Sequence, residues 1–225
     1  MRDPLPSTLW TQVLDAGRGT PSALEALLQR YLEPVYAYVR AMGHARGDAE
    51  DLTHDFFVHV LESPLLARAD PTRGSFRGFL VTCLRNFLTS RAARASALKR
   101  GGNRKTLQLD VEAVERGLVT EPGADPARQF ERRYAQATVD RALARLHREL
   151  TPGASQVFTL AYGADPLPHR EIAARTGLEE NAVAASVSRS RKKLKQLLLA
   201  EVRETVAEPG QAEAELKALY RALGG

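Results

Sequence analysis

Residues 169–188, HREIAARTGLEENAVAASVS, narrow what this chain can fold into more than any other stretch. Gly177 stands between two short helical stripes, with the small residue Ala173 four positions before it. Glycine supplies a positive-φ turn without steric cost, and alanine lets two helices approach closely. Ile172, Leu178 and Val183 are then expected to fill the small core between them. This is helix-turn-helix spacing, and in that motif the second helix enters the major groove with its N-terminal residues near base edges. From about Glu180 onward, the positions expected to face outward include Asn181, Ala184, Ser188, Arg189, Lys192 and Lys193. A bare helical hairpin has the same spacing. The basic continuation Arg189, Arg191, Lys192, Lys193 and Lys195 favours the DNA-facing reading.

The rest of the chain is also periodic in a helical sense. Residues 23–42 carry Leu24, Leu27, Leu28, Tyr31, Val35 and Val39 on one stripe, which predicts two helical pieces or one helix kinked at Pro34. A second helix is expected from a cap at Asp48 to about Ser63, burying Leu52, Phe56 and Val60 and carrying Asp51, Asp55 and His59 on another face. Helical spacing resumes over 76–98 at Phe79, Leu80, Cys83, Leu84, Phe87 and Leu88. After Gly101, Gly102 and Asn103 no period is sustained until about residue 126, which reads as a linker. Further helices are expected over 127–150, from Thr151-Pro152 with proline at the tolerated first position, on either side of Gly177, and at the C-terminus. No segment alternates as a strand does, so the fold class is all-α, with two small helical domains and a linker. The expected organisation is a first domain over 1–100, a linker over 101–126, the helix-turn-helix domain over 127–207 and a C-terminal amphipathic helix over 208–225. The last, with Leu216, Leu219, Tyr220 and Leu223 on one stripe, is too short to be stable alone and is expected to pack on the helix-turn-helix domain.

Composition excludes several classes. The chain has 225 residues, 44% of them apolar, and a single cysteine, so neither an intramolecular disulfide nor a cysteine-based zinc module is expected. A reducing, cytoplasmic setting follows, since MRDPLPSTLW is no signal peptide and no apolar run approaches a membrane span. The formal charge of +5 names no partner, but its distribution is informative. Residues 71–109 contain no acid and nine basic side chains, and residues 181–200 repeat that pattern with five. Within the intervening segment 110–125, Asp110, Glu112, Glu115, Glu121 and Asp125 face the lone Arg116. Two basic modules on an acidic connector suit a protein that meets a polyanion at two sites.

The first basic block contains GSFRGFLVTCLRNFLTSRAAR, residues 74–94. Taken alone it is better read as core with a solvated arginine face, because arginines flanking apolar positions are ordinary. Its aromatics beside Arg77, Arg85, Arg91 and Arg94 also fit stacking on unpaired bases with phosphate contacts. The company it keeps decides the matter. The order DAEDLTHDFF (48–57), FRGFLVTCLRNFL (76–88), an acidic linker, LTPGASQVFTLAY (150–162) and the helix-turn-helix resembles bacterial RNA polymerase sigma factors of the sigma-70 family, extracytoplasmic-function group. The run ALKRGGNR (97–104), FERRYA (130–135) and the tail resemble a subset with a longer linker and a C-terminal extension.

That resemblance implies a promoter-melting module, region 2, tethered to a region 4 module, with core RNA polymerase and promoter DNA as partners. It leaves room for an anti-sigma factor or another regulator. It implies that Asp48, Asp51, Asp55 and Phe56 dock on polymerase. Arg77, Phe79, Arg85, Asn86, Arg91 and Arg94 would handle the -10 element. Asn181, Ser186, Ser188, Arg189, Arg191, Lys192 and Lys193 would handle the -35 element. The chain departs from the family pattern where Phe79 replaces tryptophan, Ser90 aspartate and Ala184 a basic residue, which shifts the expected -35 contacts toward charge. No catalytic residue, metal site or cofactor is expected, because Asp51, Asp55 and His59 on one helix supply too few ligands. The competing reading is a helix-turn-helix regulator or interaction module that acts without polymerase.

Overall fold

The computed structural model describes residues 21–70, 75–95, 115, 124–206 and 209–224. Among these the regular structure is entirely helical. In chain order it comprises α1 (Pro21–Ala41), α2 (Arg46–Glu62), α3 (Phe76–Ala95), α4 (Pro126–Glu149), α5 (Pro152–Tyr162), α6 (His169–Thr176), α7 (Glu180–Arg203) and α8 (Ala212–Gly224). Short 3-10 turns stand at Leu66–Arg68 and Pro209–Gln211. The expected linker, 101–126, falls largely outside the described residues.

The helices divide into two compact units, Met1–Ala137 with Arg203–Gly225, and Thr138–Val202. This differs from the expected domain start at residue 127. The division falls within α4, because that helix carries two sets of buried residues. Phe130, Tyr134 and Ala135 serve the first unit, and Thr138, Ala142 and Leu146 serve the second.

In the first unit α1 packs along α2, and α2 in turn on α3. Pro34 sits inside one continuous helix and is itself buried, so α1 tolerates the lost N–H without ending. Tyr31, Val35 and Val39 of α1, Phe56 and Val60 of α2, and Phe76, Leu80 and Leu84 of α3 are all buried. The Tyr31 ring stacks on Tyr134 at 5.5 Å and meets the Phe76 edge at 5.4 Å, which joins α4 to that core. Helix α2 starts at Arg46 from Ala45, with no side-chain cap, so Asp48 lies in the first turn instead of capping it. Its carboxylate still meets the positive end of the helix dipole.

The C-terminal helix corrects an expectation. It belongs to the first unit, not to the helix-turn-helix unit. Ala212, Leu216 and Leu219 are buried, Glu215 on the same side reaches Arg77, and Tyr220 points away, 52% exposed. The stripe legible in the sequence therefore included one residue that the buried face leaves out.

In the second unit Thr151 caps α5, its Oγ1 accepting from the Ala154 N–H at 3.4 Å with Pro152 following. Gly177 adopts φ 71° and ψ 15°, and its N–H donates to the Ala173 carbonyl, which closes α6. Ile172, Val157, Val183 and Val187 form the core, with Leu160, Ala161, Leu167 and Ala173 packed against it. Leu178, expected in that core, is 43% exposed. The turn after Gly177 carries it outward, and Val157 of α5 supplies apolar volume in its place.

Candidate functional site

Three surfaces are built by these helices. The first is the acidic side of α2. Phe56, Phe57 and Val60 point inward, so the helix already has its apolar partner and presents carboxylates elsewhere. Asp48 is exposed, and Asp51 and Asp55 are half-buried. Phe56 is fully buried against Phe87, with ring centroids 5.5 Å apart. It therefore supports this face from beneath, and its expected place on the contact surface is corrected. Asp55 is paired within the unit: Arg91 Nη1 of α3 lies 2.5 Å from its Oδ2. The same guanidinium sits over the Phe87 ring at 5.8 Å, and His59 stacks on that ring. Thus the acidic side of α2 and one expected -10 contact are joined by an ion pair.

The second surface is α3. Arg85 and Asn86 are exposed near its middle, and Phe79 is half-buried with its ring 5.9 Å from that of buried Phe76. The Arg94 side chain lies outside the described residues. Arg77 is enclosed, its side chain only 11% exposed. Its Nε lies 3.0 Å from Glu131 Oε2 of α4, and its Nη1 lies 2.7 Å from Glu215 Oε1 of α8. Neither of these two nitrogens has a hydrogen bond of good alignment, and the long hydrogen bond that Arg77 makes to this pair runs from its Nη2 to Glu215 Oε2 at 3.5 Å. The guanidinium carbon also sits 5.1 Å from the Tyr134 ring centroid. Burial raises the pKa of Glu131, opposed by Arg77 and reinforced by Glu215.

The third surface is α7. Val183, Ser186, Val187 and Ser190 turn inward, while Asn181, Ser188, Arg189, Arg191 and Lys192 are exposed. Ser186 is therefore corrected as an expected contact, because it faces the core. Lys193 Nζ lies 2.7 Å from Glu149 Oε2, and Arg145 Nε lies 2.8 Å from Glu149 Oε1. The hydrogen bond from Lys193, then that from Arg145, lowers the Glu149 pKa. Farther along α7, buried Glu201 accepts from Arg141 Nε at 3.1 Å, and Arg141 also donates to Thr138 Oγ1 at 3.0 Å. These bonds fix the rotation of α7 against α4 within the unit, which sets the side its basic residues face.

Several residues were missed from sequence. Glu115 of the acidic stretch accepts from Arg40 Nε at 2.6 Å and from the Tyr36 hydroxyl at 2.5 Å. The Arg40 bond holds the Glu115 carboxyl below its ordinary pKa, while burial and the bond to Glu115 push Tyr36 up. The FERRYA run turns out to carry two of the ion pairs, Glu131 with Arg77 and Arg133 with Glu33 at 2.8 Å. Cys83 is half-buried, and burial raises its thiol pKa. No helix among the described residues is long and apolar enough to cross a membrane.

Fold and surfaces define a two-module helical protein, a basic helix-turn-helix unit joined to a helical unit with an acidic face and an arginine-bearing helix. Residues 27–97 match the family described as Sigma-70 region 2, and residues 140–194 match that described as Sigma-70, region 4. The chain is also 27% identical over 198 residues to the ECF RNA polymerase sigma factor RpoE of Cereibacter sphaeroides, covering 87% of this chain and 98% of that relative. The chain belongs to the sigma-70 family of RNA polymerase sigma factors, in the extracytoplasmic-function group. It is accordingly a transcription initiation factor that directs RNA polymerase to promoters, which leaves behind the reading of a regulator acting without polymerase.

Proposed function

We propose that the three surfaces divide the work of initiation. The carboxylates Asp48, Asp51 and Asp55 of α2 form the polymerase-docking face. Helix α3 handles the -10 element through Phe79, Arg85 and Asn86, with Arg91 supporting it from its pair with Asp55. Helix α7 meets the -35 element through Asn181, Ser188, Arg189, Arg191 and Lys192.

The observation that carries this division is the composition of α2, whose inward residues Phe56, Phe57 and Val60 complete a core while Asp48 is exposed and Asp51 and Asp55 are half-buried. A surface of that kind suits a basic partner, and opposite charge speeds and orients encounter. An anti-sigma factor or another regulator that covered this face would silence the factor by exclusion. On α7 the short side chains Ala184 and Ala185 stand where base edges are met, and the long cations crowd the second half. Affinity there comes mainly from phosphates, which position a helix without reading sequence.

The test is Asp51→Lys assayed for binding to core RNA polymerase, with far-ultraviolet circular dichroism as the folding control. Binding weakened at least ten-fold with unchanged helicity supports the docking face. Unchanged affinity removes it.

A further inference from the structure

Arg77 opens α3, the helix to which the -10 reading assigns promoter contacts, yet two carboxylates from outside the region 2 match already hold it. Glu131 belongs to α4, and Glu215 belongs to the C-terminal helix. One guanidinium facing two carboxylates leaves the node with a formal surplus of negative charge, at a place where a DNA phosphate would also have to approach. Glu215 is held there firmly. Its side chain is 14% exposed, and Ala212, Leu216 and Leu219 on either side of it are buried. Upstream of α8, Glu204 Oε2 lies 2.6 Å from Arg30 Nη2 of α1, so the C-terminal segment is tied to the first unit at two points.

We propose that the C-terminal segment is an internal acidic cap on region 2, in which Glu215 occupies the anion position of Arg77 and competes with promoter DNA for it. The inference rests on the reading of α3 as the -10 surface. Capped, the first unit offers single-stranded DNA fewer cations than its sequence contains. Uncapped, Arg77 becomes one more phosphate contact beside Phe79. Glu131 remains on Arg77 in either state and keeps the side chain placed at the head of α3.

The experiment measures binding of the full-length chain to a fluorescein-labelled single-stranded DNA oligonucleotide of mixed sequence, across a salt series. The variants are Glu215→Gln, Arg77→Gln, the double variant, and Glu213→Gln as a control. Glu213 is exposed on the same helix, and its substitution changes net charge equally. Circular dichroism monitors folding for all four. Glu215→Gln is expected to tighten binding on the order of five-fold and to steepen the logarithmic salt dependence by about 0.7, the increment for one added phosphate contact on a single strand. Glu213→Gln should do neither, and the double variant should lose the gain.

A gain that survives in the double variant, or that Glu213→Gln reproduces, overturns the cap, since it then reflects net charge alone. No gain in Glu215→Gln, with binding weakened by Arg77→Gln, also overturns it while leaving α3 as a DNA surface. No change with either Arg77→Gln or Glu215→Gln overturns the cap together with the assignment of Arg77 to DNA. If Glu215→Gln proves unfolded, Glu215→Asp decides the question. Its shorter side chain withdraws the carboxylate from Arg77 at constant charge, so tighter binding supports the cap and unchanged binding refutes it.

Discussion

Replacing Ile172 with alanine should dismantle the helix-turn-helix unit while sparing polymerase binding. Ile172 is fully buried among Val157, Val183 and Val187. The substitution removes three carbons, a transfer loss of about 2.4 kcal/mol at about 0.8 kcal/mol per methylene. The cavity left behind adds to this, giving about 2–5 kcal/mol in all. A unit of this size, at about 0.05–0.15 kcal/mol per residue, has about 3–10 kcal/mol to lose. Thermal unfolding followed by circular dichroism should therefore show one transition lowered by on the order of 15 °C, at about 4–8 °C per kcal/mol for a small domain. Binding to -35 duplex should be lost on warming, with core polymerase affinity retained through the first unit. Leu178→Ala is the internal comparison. Leu178 is 43% exposed, so its loss should cost less than about 0.5 kcal/mol. A shift for Ile172→Ala no larger than that for Leu178→Ala would refute the assignment of the core.

Two further outcomes follow from the first unit. Phe79→Ala should impair transcription more on duplex promoters than on templates already opened, because unstacking a base costs a few kcal/mol that a stacking partner helps offset; equal impairment on both would assign the ring to packing against Phe76. The Glu115 tether should be pH-dependent: its carboxyl is held below the ordinary value of 4.5, so its contribution is fully present above that value and is lost as pH falls through the lower folded-state pKa. Stability measured for the intact chain and for Glu115→Gln should differ by about 1–2 kcal/mol at neutral pH, after allowance for partial exposure, and converge in acid. A gap that persists unchanged into acid contradicts the tether.

The local part of this architecture was legible because it is written in local spacing. Gly177 with Ala173, the capped start at Thr151-Pro152, and the stripes of α2 and α3 are set by residues within a few turns of one another. Leu178 failed because apolar character alone does not say on which side of a left-handed turn a residue emerges. The ion pairs were not legible at all. Arg77 and Glu215 are 138 positions apart, and a charge that pairs across that distance looks in sequence like any solvated one. The same holds for Arg40 with Glu115, 75 positions apart, where the acidic stretch read as uniform. FERRYA stood out as a string but not as a device, because its meaning depends on Glu33 and Arg77 arriving from α1 and α3. The C-terminal stripe showed that α8 must pack on something, and only its place in the first unit and the ion pair of its Glu215 with Arg77 showed on what.

The central claim is that this chain gives core RNA polymerase the ability to find and open promoters. The most direct measurement is reconstitution of the full-length protein with core polymerase on a library of duplex genomic fragments, reading open complexes by permanganate reactivity of unpaired thymines. The account predicts reactive thymines clustered at a recurring motif only when both proteins are present, and their loss with Asp51→Lys. Stable DNA binding by the chain alone, with no opening when core polymerase is added, would contradict it.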